Sequence, residues 1–107
     1  MAVDKIMFKL AQGFNRIFDD LQGMYVFGAS VDGEIHEDED IEVVALFKID
    51  DQSKRGQIWP VVGKVETDCN VSIDLYPYTE ESFKKDEDIY EQVMKEGIFY
   101  NSKGIKE

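Results

Sequence analysis

Three carboxylates and one glycine stand where chemistry is possible. Asp40 and Glu42 flank Ile41 at the entrance to an apolar run, Val43-Val44-Ala45-Leu46-Phe47. Strand alternation puts residues two apart on the same face, so these two acids converge and repel. A solvated loop can absorb that cost, and so can a divalent cation; Mg²⁺ prefers carboxylate oxygens together with substrate phosphates. Asp74 lies inside a second apolar run, Val71 to Tyr76. An ionised Asp in a strand interior is costly unless paired or metal-bound. If the two runs are neighbouring strands, Asp74 supplies a third oxygen ligand, and three carboxylates can hold two metals, one on a triphosphate and one at an attacking hydroxyl. Gly28 follows a short aromatic run, where a residue without Cβ lets backbone N–H groups approach a phosphate.

The other polar candidates have plainer readings. Glu34, Glu37, Asp38 and Glu39 read as a solvated face. His36, the single histidine, sits in the same polar loop, and Cys69 reads as a small core hydrophobe. Trp59 beside Pro60 is expected to pack.

The elements that must position these residues follow from periodicity. From Asp4 to Leu21 the apolar positions Ile6, Met7, Leu10, Phe14, Ile17, Phe18 and Leu21 mark one helical face, with Gly23 as the expected cap. Met24 to Phe27 predicts a short strand, and Gly28 to Glu39 a loop with room for a helical turn. Ile41 to Ile49 predicts a strand covered on both faces. Asp50 to Ser53 forms a capping turn into a helix that either starts near Pro60 or kinks there. A strand follows over Val71 to Tyr76, then a helix start at Thr79-Glu80-Glu81-Ser82 and a closing helix near Asp88 to Glu96. Gly97 ends it, and Ile98-Phe99-Tyr100 either docks on the core or stays exposed as an aromatic tail that permits a homodimer. The order predicts an α+β fold, a small mixed sheet with helices packed on one face.

The totals bound the rest. A chain of 107 residues suits one domain, residues 1–107. A net charge of −11, from 23 acidic and 12 basic residues, argues against direct nucleic-acid binding and favours cations or a basic partner. With one cysteine there is no intrachain disulfide. No apolar run approaches the roughly 18 residues of a membrane span, and the opening residues lack a signal-peptide pattern. The expected location is cytoplasmic.

The spacing Gly28-Ala29, ten residues, Asp40-Ile41-Glu42 resembles the signature of nucleotidyltransferases of the DNA polymerase beta type, Gly-Ser, ten residues, Asp-x-Asp. The likeness extends to the helix before "YVFG", to Gly33, to "YTEESF" and to "YEQVMKEGIFY", and so covers nearly the whole chain. It is closest in kind to the minimal nucleotidyltransferases. That resemblance implies Mg²⁺-dependent transfer of a nucleoside monophosphate from a nucleoside triphosphate, ATP the expected one, to a protein or small-molecule hydroxyl. It implies nucleotide contacts at Gly28, Ala29 and Ser30, Mg²⁺ at Asp40, Glu42 and Asp74, and an acceptor oriented or activated by Asp74. It also implies a HEPN-type toxin as partner, with this chain as antitoxin. The chain departs from the pattern in three places. Ala29 replaces the family serine, leaving a backbone N–H, with the Ser30 hydroxyl one residue later. Glu42 replaces the second aspartate. Ser30-Val31-Asp32 stands where the family has an arginine-rich stretch. These departures suit an alternative, a degenerate transferase fold that neutralises a partner by contact.

Overall fold

A computed structural model describes residues 3–107. Helix α1 (Val3–Ile17) buries Val3, Ile6, Met7, Leu10, Ala11 and Phe14, a strict alternation of three and one that makes a single apolar stripe. It stops four residues before the predicted end. Phe18 leaves the helical path to pack against the Phe14 and Phe47 rings, at 6.4 and 5.5 Å between centroids. Asp20 then accepts from the Ile49 backbone N–H at 3.1 Å and pairs with Lys54. Leu21 therefore opens strand β1 (Leu21–Phe27), and Gly23 lies within it rather than capping the helix. A Cβ at Gly23 would meet the Phe99 ring at 2.5 Å, so close packing, not helix termination, requires the glycine here.

A 3-10 turn (Gly28–Asp32) and the acidic loop lead to β2 (Ile41–Phe47). Helix α2 (Gln52–Cys69) is capped by the Asp51 carboxylate, which accepts from the Lys54 N–H at 2.8 Å. It runs through Pro60 as one long helix rather than starting there, and ends at Asn70 in the left-handed conformation (φ 55°). Strand β3 (Ile73–Tyr78) follows, then α3 (Glu80–Lys85) and α4 (Glu87–Glu96). Thr79 and Ser82 form a reciprocal capping box at the start of α3, as the "TEES" stretch predicts. Strand β4 (Ile98–Asn101) closes the chain's sheet.

The strand order is β3-β2-β1-β4. β1 is antiparallel to both β2 and β4, while β2 and β3 are parallel, joined by α2 as the crossover. Alternation sends Met24, Val26, Ile41, Val43, Ala45, Ile73 and Leu75 into one core with α1 and α2. It sends Phe27 and Val44 into a second core with Phe83 of α3 and Val93 of α4, flanked by Tyr25, Leu46, Tyr76 and Tyr78.

The α+β class and the small mixed sheet stand as expected, but the helices do not all share one face. The two long helices cover one side and the two short ones the other. The cause is the strand composition: β1, β2 and β3 are apolar or aromatic on both sides, so each side needs a cover. The aromatic tail is not exposed either. Tyr100 is 2% exposed, its hydroxyl donates to Asp4 Oδ1 at 2.5 Å, and β4 pairs with β1. Its exposure thus gives no ground for a homodimer. Trp59 is 49% exposed on α2 rather than packed. No helix among the described residues is long and apolar enough to cross a membrane.

Candidate functional site

The site is assembled by register. In the parallel pair Glu42 lies opposite Asp74, and in the antiparallel pair it lies opposite Phe27, the residue before Gly28. Glu42, Asp74 and Tyr76 share the sheet face covered by α3 and α4, at the end where β1 finishes and β2 and β3 begin. Asp40 sits just outside β2, exposed, where the Ile41 N–H donates to the Ser72 carbonyl at 2.9 Å and brings the two strand entrances together. The conditional expectation that the Asp74 strand neighbours the Asp40–Glu42 strand is met.

Gly28 has φ +75°, a left-handed conformation that L side chains resist. A Cβ there would also fall inside the contact shell of Glu42 Oε2. Two physical reasons therefore require glycine beside the carboxylate. The Gly28 N–H points at the same end of the sheet and donates to Glu96 Oε1 at 3.1 Å. Glu96, the last residue of α4, also accepts from Gln92 Nε2 at 3.0 Å. Asp74 Oδ2 accepts from the Tyr76 hydroxyl at 2.9 Å. Burial, reinforced by that bond, pushes the Tyr76 phenol up to about 12.

The electrostatics are one-sided. The Glu42 carboxyl titrates above its ordinary value, through burial first and then the charges of Asp74, Glu96, Asp40 and Glu39. Every charged group acting on it is acidic. Like charges this close favour a proton or a cation between them. The donor set is all oxygen, which suits a hard cation such as Mg²⁺ rather than a thiol- or imidazole-loving metal. As the side chains stand, no group of three or more His, Cys, Asp or Glu among the described residues is drawn tightly enough to hold a metal ion. The backbone register supplies the adjacency of Glu42 and Asp74; closing on an ion would fall to the side chains, with exposed Asp40 the freest to move.

The remaining candidates separate from this centre. His36 Nε2 lies 2.9 Å from Asp32 Oδ2, and Asp32 Oδ1 accepts from the Glu34 N–H at 2.9 Å, so this part of the loop is tied to itself. Glu34, Glu37, Asp38 and Glu39 are exposed. Ala29 is half-buried in the 3-10 turn, and Ser30 is 1% exposed beneath it. Cys69 is buried, as expected. A cleft of about 720 Å³ runs between the acidic loop and the end of α2, lined by His36, Asp40, Asn70 and Ser72 among others. It touches the site at Asp40 and includes neither Gly28, Glu42 nor Asp74. Two residues that contact the site were not singled out in the sequence. Tyr76 was findable as the same-face neighbour of Asp74, two positions on. Glu96 was visible only as part of the Lys95-Glu96-Gly97-Ile98 turn, with nothing local to aim it at Gly28.

No protein-family model and no curated protein matches the sequence. Solved structures do match in three dimensions. A double Asp-to-Glu variant of the toxin–antitoxin MntA–HpeT superposes with a TM-score of 0.63 at 22% identity, over 87% of this chain and 70% of that one. A toxin–antitoxin structure with AMP-PNP gives 0.61 at 22% identity, over 85% and 68%. A complex of tri-AMPylated Shewanella oneidensis HEPN toxin with MNT antitoxin gives 0.56 at 20% identity, over 87% and 66%. At these identities the likeness speaks for the fold. The chain has the minimal nucleotidyltransferase fold.

Proposed function

We propose that this chain is a Mg²⁺-dependent nucleotidyltransferase that moves a nucleoside monophosphate from a triphosphate, ATP in the first instance, onto a hydroxyl, and that it serves as antitoxin to a HEPN-type partner. The observation that carries this reading is the register pairing of Glu42 with Asp74 beside Gly28, in a field where every charged neighbour is acidic. Asp40, Glu42 and Asp74 would hold Mg²⁺, which would offset phosphate charge and lower the pKa of the attacking hydroxyl. The backbone N–H groups of Gly28 and Ala29 would face the phosphates, with Ser30 fixing the turn beneath them. Asp74 would orient the acceptor hydroxyl and take its proton as the oxygen attacks the α-phosphate and pyrophosphate leaves. The solved neighbours with AMP-PNP and with an AMPylated toxin support the nucleotide and the partner class. A triphosphate substrate would suit a cytoplasmic location.

The second reading, a degenerate fold that binds its partner without chemistry, has its own observations. Ala29 lacks the family hydroxyl, the charges that raise the Glu42 carboxyl are all acidic, and the Gly28 N–H is already taken by Glu96. The −11 charge suits a basic partner surface.

One experiment separates them. The protein is incubated with Mg²⁺ and each NTP, with and without a co-expressed HEPN-type protein, and intact masses are recorded. The transferase reading expects a nucleotide adduct on the partner that disappears in Asp40→Asn. A stable complex with no adduct, unaffected by Asp40→Asn, refutes it in favour of the binder.

A further inference from the structure

Glu96 is placed where a carboxylate is electrostatically unwelcome. It is the last residue of α4, at the negative end of the helix dipole. Its charge also bears on Glu42. No salt bridge among the described residues involves it. What holds it is the Gly28 N–H, 68 positions away in sequence, together with Gln92 of its own helix. The turn behind it is tightly packed: a Cβ at Gly97 would meet the Val93 carbonyl oxygen at 2.6 Å, and the Gly97 N–H donates to that oxygen at 2.7 Å. Gly97 then leads straight into β4, whose pairing with β1 fixes where α4 ends relative to the end of β1.

The Gly28 amide is the donor that a phosphate oxygen would take. An anion from the chain itself now occupies it. We propose that Glu96 is an intrasteric gate: its carboxylate stands in for a phosphate oxygen on the Gly28 amide, and nucleotide enters only by displacing it. The inference rests on the transferase reading, which makes that amide a phosphate contact. It adds a residue that sets nucleotide affinity without holding metal or substrate. Because Glu96 is exposed, it can swing into solvent without unfolding α4. Metal-bound nucleotide is favoured over free nucleotide, since a bare triphosphate meets Glu96, Glu42 and Asp74 together.

The test is titration calorimetry of ATP with Mg²⁺ into the full chain and into Glu96→Gln and Glu96→Ala, with the Gly28 amide followed by ¹⁵N–¹H NMR. The gate predicts that the Gly28 resonance shifts in Glu96→Ala before any nucleotide is added. It predicts about fivefold tighter Mg–ATP binding in Glu96→Ala, the scale of one competing hydrogen bond, with Glu96→Gln between it and the parent. Glu96→Gln keeps the side-chain length, so it decides the matter if the alanine variant folds poorly. Equal affinity in all three proteins overturns the gate and leaves nucleotide binding intact. Weaker binding in the variants also overturns it and makes Glu96 a ligand. No binding by any of the three at millimolar ATP overturns the gate and the nucleotide reading together.

Discussion

Gly28→Ala separates the two reasons for glycine at the heart of the site. The first is conformational: φ is +75°, and forcing an L residue into the left-handed region costs about 1–2 kcal/mol. The second is steric: the new Cβ collides with Glu42 Oε2, the end of a flexible side chain that can move aside. The stability cost is therefore mostly conformational, a fall in Tm of about 4–16 °C at about 4–8 °C per kcal/mol. The functional cost is larger. Glu42 must shift by on the order of 1 Å, enough to lose about a hundredfold in rate. Gly33→Ala is the matched control. Its φ is +86° and nothing lies within 4 Å of its added Cβ, so it bears the same strain with no collision. Urea denaturation in EDTA should find the two variants within about 1 kcal/mol of each other, given the shared backbone term. Nucleotide transfer, or Mg²⁺ affinity by calorimetry, should fall in Gly28→Ala alone. Equal metal affinity and transfer in the two variants would refute the placement of Glu42 as a ligand. A stability loss in Gly28→Ala far beyond that of Gly33→Ala would refute the mobility assigned to its side chain.

Other perturbations test the framework around the site. Lys54→Ala removes the partner of nearly buried Asp20 and the ammonium over the Phe18 and Phe47 rings, so urea melts should show a loss of about 3 kcal/mol. Burial works to raise the Asp20 carboxyl, but bonds from Lys54 and the Ile49 N–H outweigh it and hold the group below its ordinary 3.8. Its contribution is thus present above pH 3.8 and is lost as pH falls through the lower folded value; urea midpoints between pH 5 and pH 2 should show less of this decline in Asp20→Asn. Thr79→Ala breaks the capping box of α3 and should cost about 1 kcal/mol in the same melts. Tyr76→Phe frees Asp74 Oδ2 from its one side-chain donor, and transfer should slow about tenfold while Tm changes little, as for the loss of a single hydrogen bond to a charged acceptor. Unchanged transfer in that variant would remove Tyr76 from any positioning role.

Much of the fold was legible because its signals are local. The α1 stripe, the β-branched run of β2, the Asp51 cap and the Thr79–Ser82 box each lie within a few residues of sequence, and periodicity or hydrogen-bonding chemistry reads them directly. The glycine-to-acid spacing is local in the same sense, while Asp40 lies just outside β2, where strand alternation no longer applies. The misreadings of Leu21, Gly23 and the short helices involve partners distant in sequence. Leu21 fits the α1 periodicity, yet the Phe47 ring, the Lys54–Asp20 pair and strand pairing with β2 draw residues 18–21 out of the helix. Gly23 reads as a cap until Phe99 arrives from the far end of the chain. The short helices cover the second sheet face because Tyr25, Phe27, Val44 and Tyr76 gather there, which only strand order can bring about.

The sequence by itself determined the residue types of the candidate site and the elements that carry them: Gly28 just after one strand, Asp40 and Glu42 at the entrance to the next, Asp74 within a third. Tertiary structure alone decided that Glu42 faces Asp74, because a parallel register is set by the α2 crossover and not by either strand. It alone placed Glu96 on the Gly28 amide, whereas Tyr76 beside Asp74 follows from alternation within one strand. Alternation and capping act over a few bonds and are written in neighbouring residues. Charges that meet across 30 to 70 positions are brought together only by the packing of the whole sheet.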